Sequence, residues 1–190
     1  MRPLYLIRHP RPAGAEACCY GRLDLPLAEP ASHSLPRVRA RLPASFQVWS
    51  SPLRRCLELA LALDPLARQH PGLQELDFGD WEGRAWDDIG APALDAWAAD
   101  VTGHTPPGGE SARQLLQRVQ AALAEVLAAS QGALALVTHA GVIRALVAQA
   151  LELAGPDWLR IRPAYGQVVA LDWDGQALQV PAATRRELGL

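Results

Sequence analysis

Three apolar runs of strand length, each followed by a helix-like segment, constrain this chain most, because every run stops on polar residues. Residues 4–7 end at Arg8-His9, residues 46–49 at Ser50-Ser51, and residues 133–137 at Thr138-His139. Short apolar runs bounded by turn signals read as buried strands. Helices are predicted over residues 37–42, 53–63, 94–99, 111–130 and 142–153. Pro52 occupies the first helical position of the second of these, and Leu115, Leu116, Val119, Leu123, Val126 and Leu127 line one face of the fourth. Residues 168–173 and 177–180 read as two strands joined at Asp174-Gly175. Strands alternating with helices predict an α/β fold: a three-layer α/β/α sandwich around a mainly parallel sheet. The region 71–107 reads as loops with short helices, and the part after Pro181 as a less regular tail. No repeat or linker divides residues 1–190, so one domain is expected.

In open α/β sheets, ligands bind beyond the carboxyl ends of the strands. Arg8, His9, Ser50, Ser51, Thr138 and His139 are therefore expected to meet there, although they are far apart in sequence. Helices starting near Pro52 and Gly141 would aim N–H groups at the same place, as anion sites do. Each residue taken singly has a plainer use. A histidine at a strand end can be structural, Arg55 can be a solvated helix residue, and Arg8 can be half of an ion pair. The convergence of two histidines and two arginines is what points to chemistry.

Composition removes several other classes. Of the 190 residues 49% are hydrophobic and 20% charged, a normal globular balance, and the net charge is −2. All 18 basic residues are arginine. No basic field argues for nucleic acid. No uninterrupted apolar stretch argues for a membrane span, and the early Arg8-His9 does not suit a signal peptide. Cys18, Cys19 and Cys56 form neither a metal-ligand spacing nor good disulfide geometry, so a cytoplasmic location is expected. A cysteine phosphatase would need arginine six residues after its cysteine, but Asp24, Leu25 and Ala62 stand there. Asp172-Trp173-Asp174 has the wrong following residues for an aspartyl-phosphate enzyme. His9, His139 and Asp24 include no close-spaced ligand pair, so no metal and no cofactor are expected.

Leu6-Ile7-Arg8-His9, Ser50-Ser51-Pro52-Leu53-Arg54-Arg55-Cys56, Glu75-Leu76-Asp77-Phe78-Gly79-Asp80-Trp81-Glu82-Gly83, Pro107-Gly108-Gly109-Glu110-Ser111 and Val137-Thr138-His139-Ala140-Gly141 occur in that order. The ordered set resembles the histidine phosphatase superfamily, which includes the cofactor-dependent phosphoglycerate mutases, and implies a phosphoglycerate mutase-like fold. The resemblance makes His9 the phosphorylated nucleophile, Arg8 and Arg55 phosphate-binding residues, and Glu75 the proton donor, with Glu82 the competing acid. It places His139, expected to be cationic, against a phosphoryl oxygen. A phosphate dianion beside Glu75 would disfavour its charged form. Ser51 either binds phosphate or caps a helix, Arg22 faces either the cleft or solvent, and Ser111 braces the long helix. Trp81 and Trp86 either line a leaving-group pocket or pack in the core. Pro10 departs from the glycine usual after the first histidine and removes one N–H donor.

The resemblance implies a metal-independent phosphomonoester hydrolase. The loops Cys19-Tyr20-Gly21-Arg22-Leu23-Asp24-Leu25-Pro26-Leu27 and Phe78-Gly79-Asp80-Trp81-Glu82 are most similar to the α-ribazole-5′-phosphate phosphatase branch of cobalamin synthesis. Its partner would be a small phosphomonoester, with a homodimer allowed for. Phosphoglycerate mutase is the runner-up, disfavoured by short loops around the acidic segment and a short C-terminal portion. An inactive phospho-ligand binder is the third reading.

Overall fold

Side chains alternate across a pleated strand, so a strand that is apolar in both registers needs cover on both faces. The computed structural model, which describes all residues from Met1 to Leu190, shows that cover. In chain order the elements are β1 (Arg2–Arg8), α1 (Leu35–Arg39), β2 (Gln47–Ser50), α2 (Arg54–Leu63), β3 (Arg68–Gln69), α3 (Trp86–Ile89), α4 (Ala91–Ala99), α5 (Ala112–Ala128), β4 (Leu134–Thr138), α6 (Ala140–Ala150), β5 (Val168–Trp173), β6 (Leu178–Gln179) and α7 (Ala182–Leu188).

The sheet has six strands in the order β3-β2-β4-β1-β5-β6. The first four run parallel, and β5 and β6 pair antiparallel at one side. On one face Leu4, Leu6, Leu134, Leu136, Val169 and Leu171 pack with the apolar sides of α5 and α6. On the other, Ile7, Ala135, Val137 and Val168 pack with Val38 of α1 and with Cys56, Leu59 and Ala60 of α2. Two apolar layers on opposite faces of one sheet make the expected α/β/α sandwich.

Ser111 caps α5 as expected. Its Oγ accepts from the N–H of Gln114 at 3.3 Å, and its own N–H donates to Gln114 Oε1 at 2.7 Å, a reciprocal capping box. Four local expectations need correction. Pro52 lies outside α2, which begins at Arg54 after an extended Leu53, because the Asp24 carboxylate accepts the Arg54 N–H at 2.8 Å and supplies the cap. The first helix runs over Leu35–Arg39 instead of residues 37–42, because Pro36 fits its first turn. The two-residue edge strand β3 carries no apolar pattern, so periodicity could not find it. The segment after Pro181 is helical. Thr184 Oγ1 donates to Ala170 O at 2.7 Å, Arg41 pairs with Glu187 at 2.8 Å, and Leu188 and Leu190 pack against the larger core.

No helix is long and apolar enough to cross a membrane. The central strand β4 is buried along its whole length, and that makes it the sensitive element. Leu136→Ala is expected to cost about 2–5 kcal/mol, the range for a buried leucine truncation, read as a lower urea midpoint with unchanged slope.

Candidate active site

Parallel pairing sets Arg8 opposite Thr138, Ile7 opposite Val137, and Ser50 also opposite Val137. The three polar strand ends therefore finish at one level. The hydrogen bonds continue one step past the strands: His9 N donates to Thr138 O at 3.0 Å and Ser51 N to Val137 O at 2.9 Å. His9, Ser51 and His139 are all buried. The two imidazoles meet edge to face with ring centroids 5.1 Å apart.

His9 Nδ1 lies 2.6 Å from Pro10 O. A carbonyl can only accept, so the proton sits on Nδ1 and the lone pair on Nε2. Burial, followed by the charge of Arg55, pushes the imidazole down to about 3; the Pro10 bond opposes them, and the charge of Arg8 adds a smaller lowering effect. Proline at this position removes an N–H, yet its carbonyl fixes the tautomer of His9. His139 departs from the cationic expectation. Burial first, then the nearby His9, Arg55 and Arg8, hold it well below the usual histidine range and therefore neutral. It is held in place by Ser51 Oγ, 2.8 Å from its Nε2, and by Cys56 Sγ at 3.4 Å. Ser51 also accepts the Leu53 N–H at 3.4 Å, so one hydroxyl turns the chain and orients the histidine.

Arg55 is fully buried and donates to the carbonyls of Leu23, at 2.8 Å, and Gly21. Arg8 donates to Pro163 O at 2.8 Å and stacks on Tyr165 at 3.7 Å. The Nε atoms of both arginines are buried without a partner. A buried donor left unpaired is costly, and since the charges of Arg8 and Arg55 both act on His9, these two donors can take an anion beside it. Arg22 has Asp77 at 3.1 Å and Glu110 at 3.5 Å, so acidic residues compensate its charge.

The two carboxylates considered as acids have different surroundings. Glu82 accepts from the N–H groups of Arg22 at 2.8 Å, Leu23 and Phe78 at 3.1 Å, fastening one loop to another. Glu75 accepts from Leu76 N at 2.9 Å and from Gly141 N at 3.0 Å in the first turn of α6. The helix N-terminus expected to face an anion therefore holds Glu75, as that of α2 holds Asp24. Trp81 is buried and stacks on His104, with centroids 5.8 Å apart, whereas Trp86 is 42% exposed and belongs to no core.

Sequence reasoning missed Arg118 and Tyr165. From α5, Arg118 donates to the carbonyls of Gly72 (2.9 Å), Gln74 (3.1 Å) and Glu75 (3.2 Å) and pairs with Glu110. It pins the segment that carries Glu75. In sequence it is one more polar residue on an amphipathic helix. Tyr165 stacks on Arg8 and hydrogen-bonds Tyr20 through its hydroxyl at 2.8 Å. It comes from a segment without periodicity. No group of three or more His, Cys, Asp or Glu side chains is placed to hold a metal ion.

Residues 4–184 match the family model described as histidine phosphatase superfamily (branch 1). Glucosyl-3-phosphoglycerate phosphatase of Mycobacterium tuberculosis is 34% identical over 142 residues, 66% of this chain and 61% of the relative. The chain thus spans about three fifths of that relative's length. The probable phosphoglycerate mutase GpmB of Salmonella paratyphi C is 33% identical over 174 residues, 85% of this chain and 80% of the relative. Among solved structures, α-ribazole phosphatase from Shigella flexneri superposes with a TM-score of 0.80 at 26% identity, covering 94% of each chain.

Two outcomes follow from the geometry. The unfolded chain protonates His9 near 6.5 and the native one only near 3, so the unfolded state binds the extra proton and stability falls as pH drops through that window. On the order of 2 kcal/mol is lost from His9 alone between its ordinary pKa and about pH 5, measurable by urea unfolding at both pH values. His9→Asn should flatten that slope, leaving the part due to His139. A Cβ at Gly141 would collide with Glu75 Oε1. Gly141→Ala is therefore expected to push the Glu75 carboxylate off the Gly141 N–H while changing stability by less than about 1 kcal/mol by the same measurement, since the colliding atom ends a flexible side chain and alanine suits a helix better than glycine.

Proposed function

Since the chain belongs to the histidine phosphatase superfamily (branch 1), we propose that it hydrolyses small organic phosphomonoesters through a phosphohistidine formed on His9. One observation carries the reading: His9 is buried, neutral and protonated on Nδ1 by its bond to Pro10 O, which leaves Nε2 as the nucleophile. The partnerless Nε atoms of Arg8 and Arg55 support it, since planar guanidinium donors suit phosphoryl oxygens.

In the first step the Nε2 lone pair forms the N–P bond as the P–O bond to the leaving group breaks. Glu75, in its acid form, gives its proton to the departing oxygen. Arg8, Arg55 and the N–H of His139 hold the equatorial oxygens, where charge stabilisation matters most. In the second step Glu75, now a carboxylate, takes a proton from water as the water oxygen attacks phosphorus and the N–P bond breaks. Glu75 is preferred to Glu82 because it lies against the first turn of the helix that follows His139, whereas Glu82 ties the loop at residues 22–23 to Phe78.

For the substrate, the loops at residues 19–27 and 78–82 favour an α-ribazole-5′-phosphate-like ester, and a glycosylated phosphoglycerate is the other class named among the relatives. Both belong in a panel with 3-phosphoglycerate, assayed in the presence of EDTA. A mutase would return 2-phosphoglycerate from 3-phosphoglycerate, whereas the proposed enzyme releases inorganic phosphate. His9→Ala is expected to abolish turnover and the trapped phosphoprotein while the circular dichroism spectrum is retained. Glu75→Gln should slow esters of poorly acidic alcohols by about 10²–10⁴ and activated aryl esters much less. Label on cysteine or aspartate, or loss of activity to the chelator, would contradict the mechanism.

A further inference from the structure

Two tyrosines close to His9 take no part in the proposed steps. Tyr20 lies in the loop between β1 and α1, and Tyr165 in the loop between α6 and β5. The guanidinium carbon of Arg8 stands 3.7 Å from the centre of the Tyr165 ring, and that of Arg55 5.3 Å from the centre of the Tyr20 ring. The Tyr165 ring also flanks His9, with centroids 5.7 Å apart. Each arginine is tied a second time to the loop that supplies its tyrosine. Arg8 donates to Pro163 O, and Arg55 to Gly21 O and Leu23 O. Loop and guanidinium therefore form one unit around each arginine.

One hydrogen bond joins the two units, between the Tyr20 and Tyr165 hydroxyls at 2.8 Å. The other hydrogen bonds of residues 20–23 and 163–165 lead elsewhere, to Glu82, Arg37, Gln167 and the two arginines themselves. Burial, followed by the bond to Tyr165, raises the Tyr20 phenol above its ordinary value, against a smaller lowering effect of Arg8 and Arg55. The phenol therefore keeps its proton through the neutral range. A ring face attracts a guanidinium, so a bond that fixes one ring against the other also fixes the two cations behind them.

From this arrangement we infer that Tyr20 and Tyr165 are positioning residues, whose mutual hydrogen bond sets the spacing of the Arg8 and Arg55 guanidiniums around the phosphoryl site. The inference rests on the proposed function and deepens it, because it assigns the placement of the two charges to a pair of hydroxyls that act through the arginines. In the transition state of phosphoryl transfer, charge spreads over three equatorial oxygens, and donors already placed for them lower the barrier. Inorganic phosphate is tetrahedral and makes a smaller demand on that spacing. A neutral hydrogen bond is worth roughly threefold to tenfold in an equilibrium constant.

Tyr20→Phe and Tyr165→Phe each keep the stacked ring and delete the bond. Calorimetric titration with orthovanadate, which adopts the five-coordinate geometry of the transition state, and with inorganic phosphate measures binding without turnover. Each variant is expected to bind vanadate about three- to tenfold more weakly than wild type and phosphate within about twofold. The kcat/KM for p-nitrophenyl phosphate should fall by the factor seen for vanadate. The double variant should lose no more than either single one, because all three lack the same bond. Equal losses for the two anions overturn the inference, as do full vanadate affinity in either variant and losses that multiply in the double variant. If one variant fails to fold, the vanadate-to-phosphate ratio of the other still decides. Wild-type turnover separates the two levels. The vanadate pattern without hydrolysis of any ester removes the phosphatase reading and keeps the positioning pair, whereas hydrolysis with unselective losses removes the pair alone.

Discussion

The register of β1 against β4, with Arg8 opposite Thr138, governs the placement of every group in the site. Parallel strands in one sheet finish at one edge, and the His9 N–H to Thr138 O bond extends the pairing by one residue past β1. A shift of one residue would turn Leu4 and Leu6 out of one apolar layer and drive Ile7 out of the other, because side chains change face at every step. Two tightly filled layers thus hold the register, and the register holds the two histidines 5.1 Å apart at their centroids. Stability of the core and geometry of the chemistry come from the same contacts.

Burying this much polarity needs compensation, and the carboxylates that provide it lie in loops. Asp24 caps α2, Glu75 sits on the first turn of α6, Glu82 gathers three N–H groups, and Glu110 joins Arg118 to the Asp77 N–H. Each links segments that are distant in sequence. Backbone N–H groups that could have faced solvent or a phosphoryl group are occupied from within the chain. The arginines at the reacting centre differ. Arg55 spends both outer nitrogens and Arg8 its Nη1 on carbonyls of surrounding loops, and both keep Nε free of protein partners. In the proposed reaction, charged donors held in place before substrate arrives would lower the phosphoryl-transfer barrier.

The neutral state of both histidines follows from the same arrangement. Neighbouring arginines and burial act in one direction, and nothing acidic touches either ring. The proposed role of His9 needs a lone pair on its imidazole, and the surroundings that lower its basicity keep that lone pair free across the neutral range. Beside Glu75 the balance is different, with one acid, one arginine and three aromatic side chains lining a small cavity.

Much of this protein was legible from residue order. The apolar runs and their polar ends located β1, β2 and β4, the helical periodicity located α5, and the ordered motifs singled out Arg8, His9, Arg55, Glu75 and His139 as candidates. Ser111 announced its capping box by its place before an amphipathic run. What residue order left undecided depends on who stands beside whom. The neutral charge of His139, the hold of Arg118 on the Glu75 segment, the stacking of Tyr165 on Arg8 and the aromatic walls around Arg144 all join residues tens of positions apart. The helix after Pro181 was missed for a related reason, since its stability comes from Thr184, Glu187 and Leu188 contacting the folded body. Local pattern determines which segments are strands and helices and which residue types end them, because those choices are made by neighbours along the chain. Protonation state, hydrogen-bond partner and pocket shape were decided only by the tertiary structure, because burial and Coulomb interaction act through space.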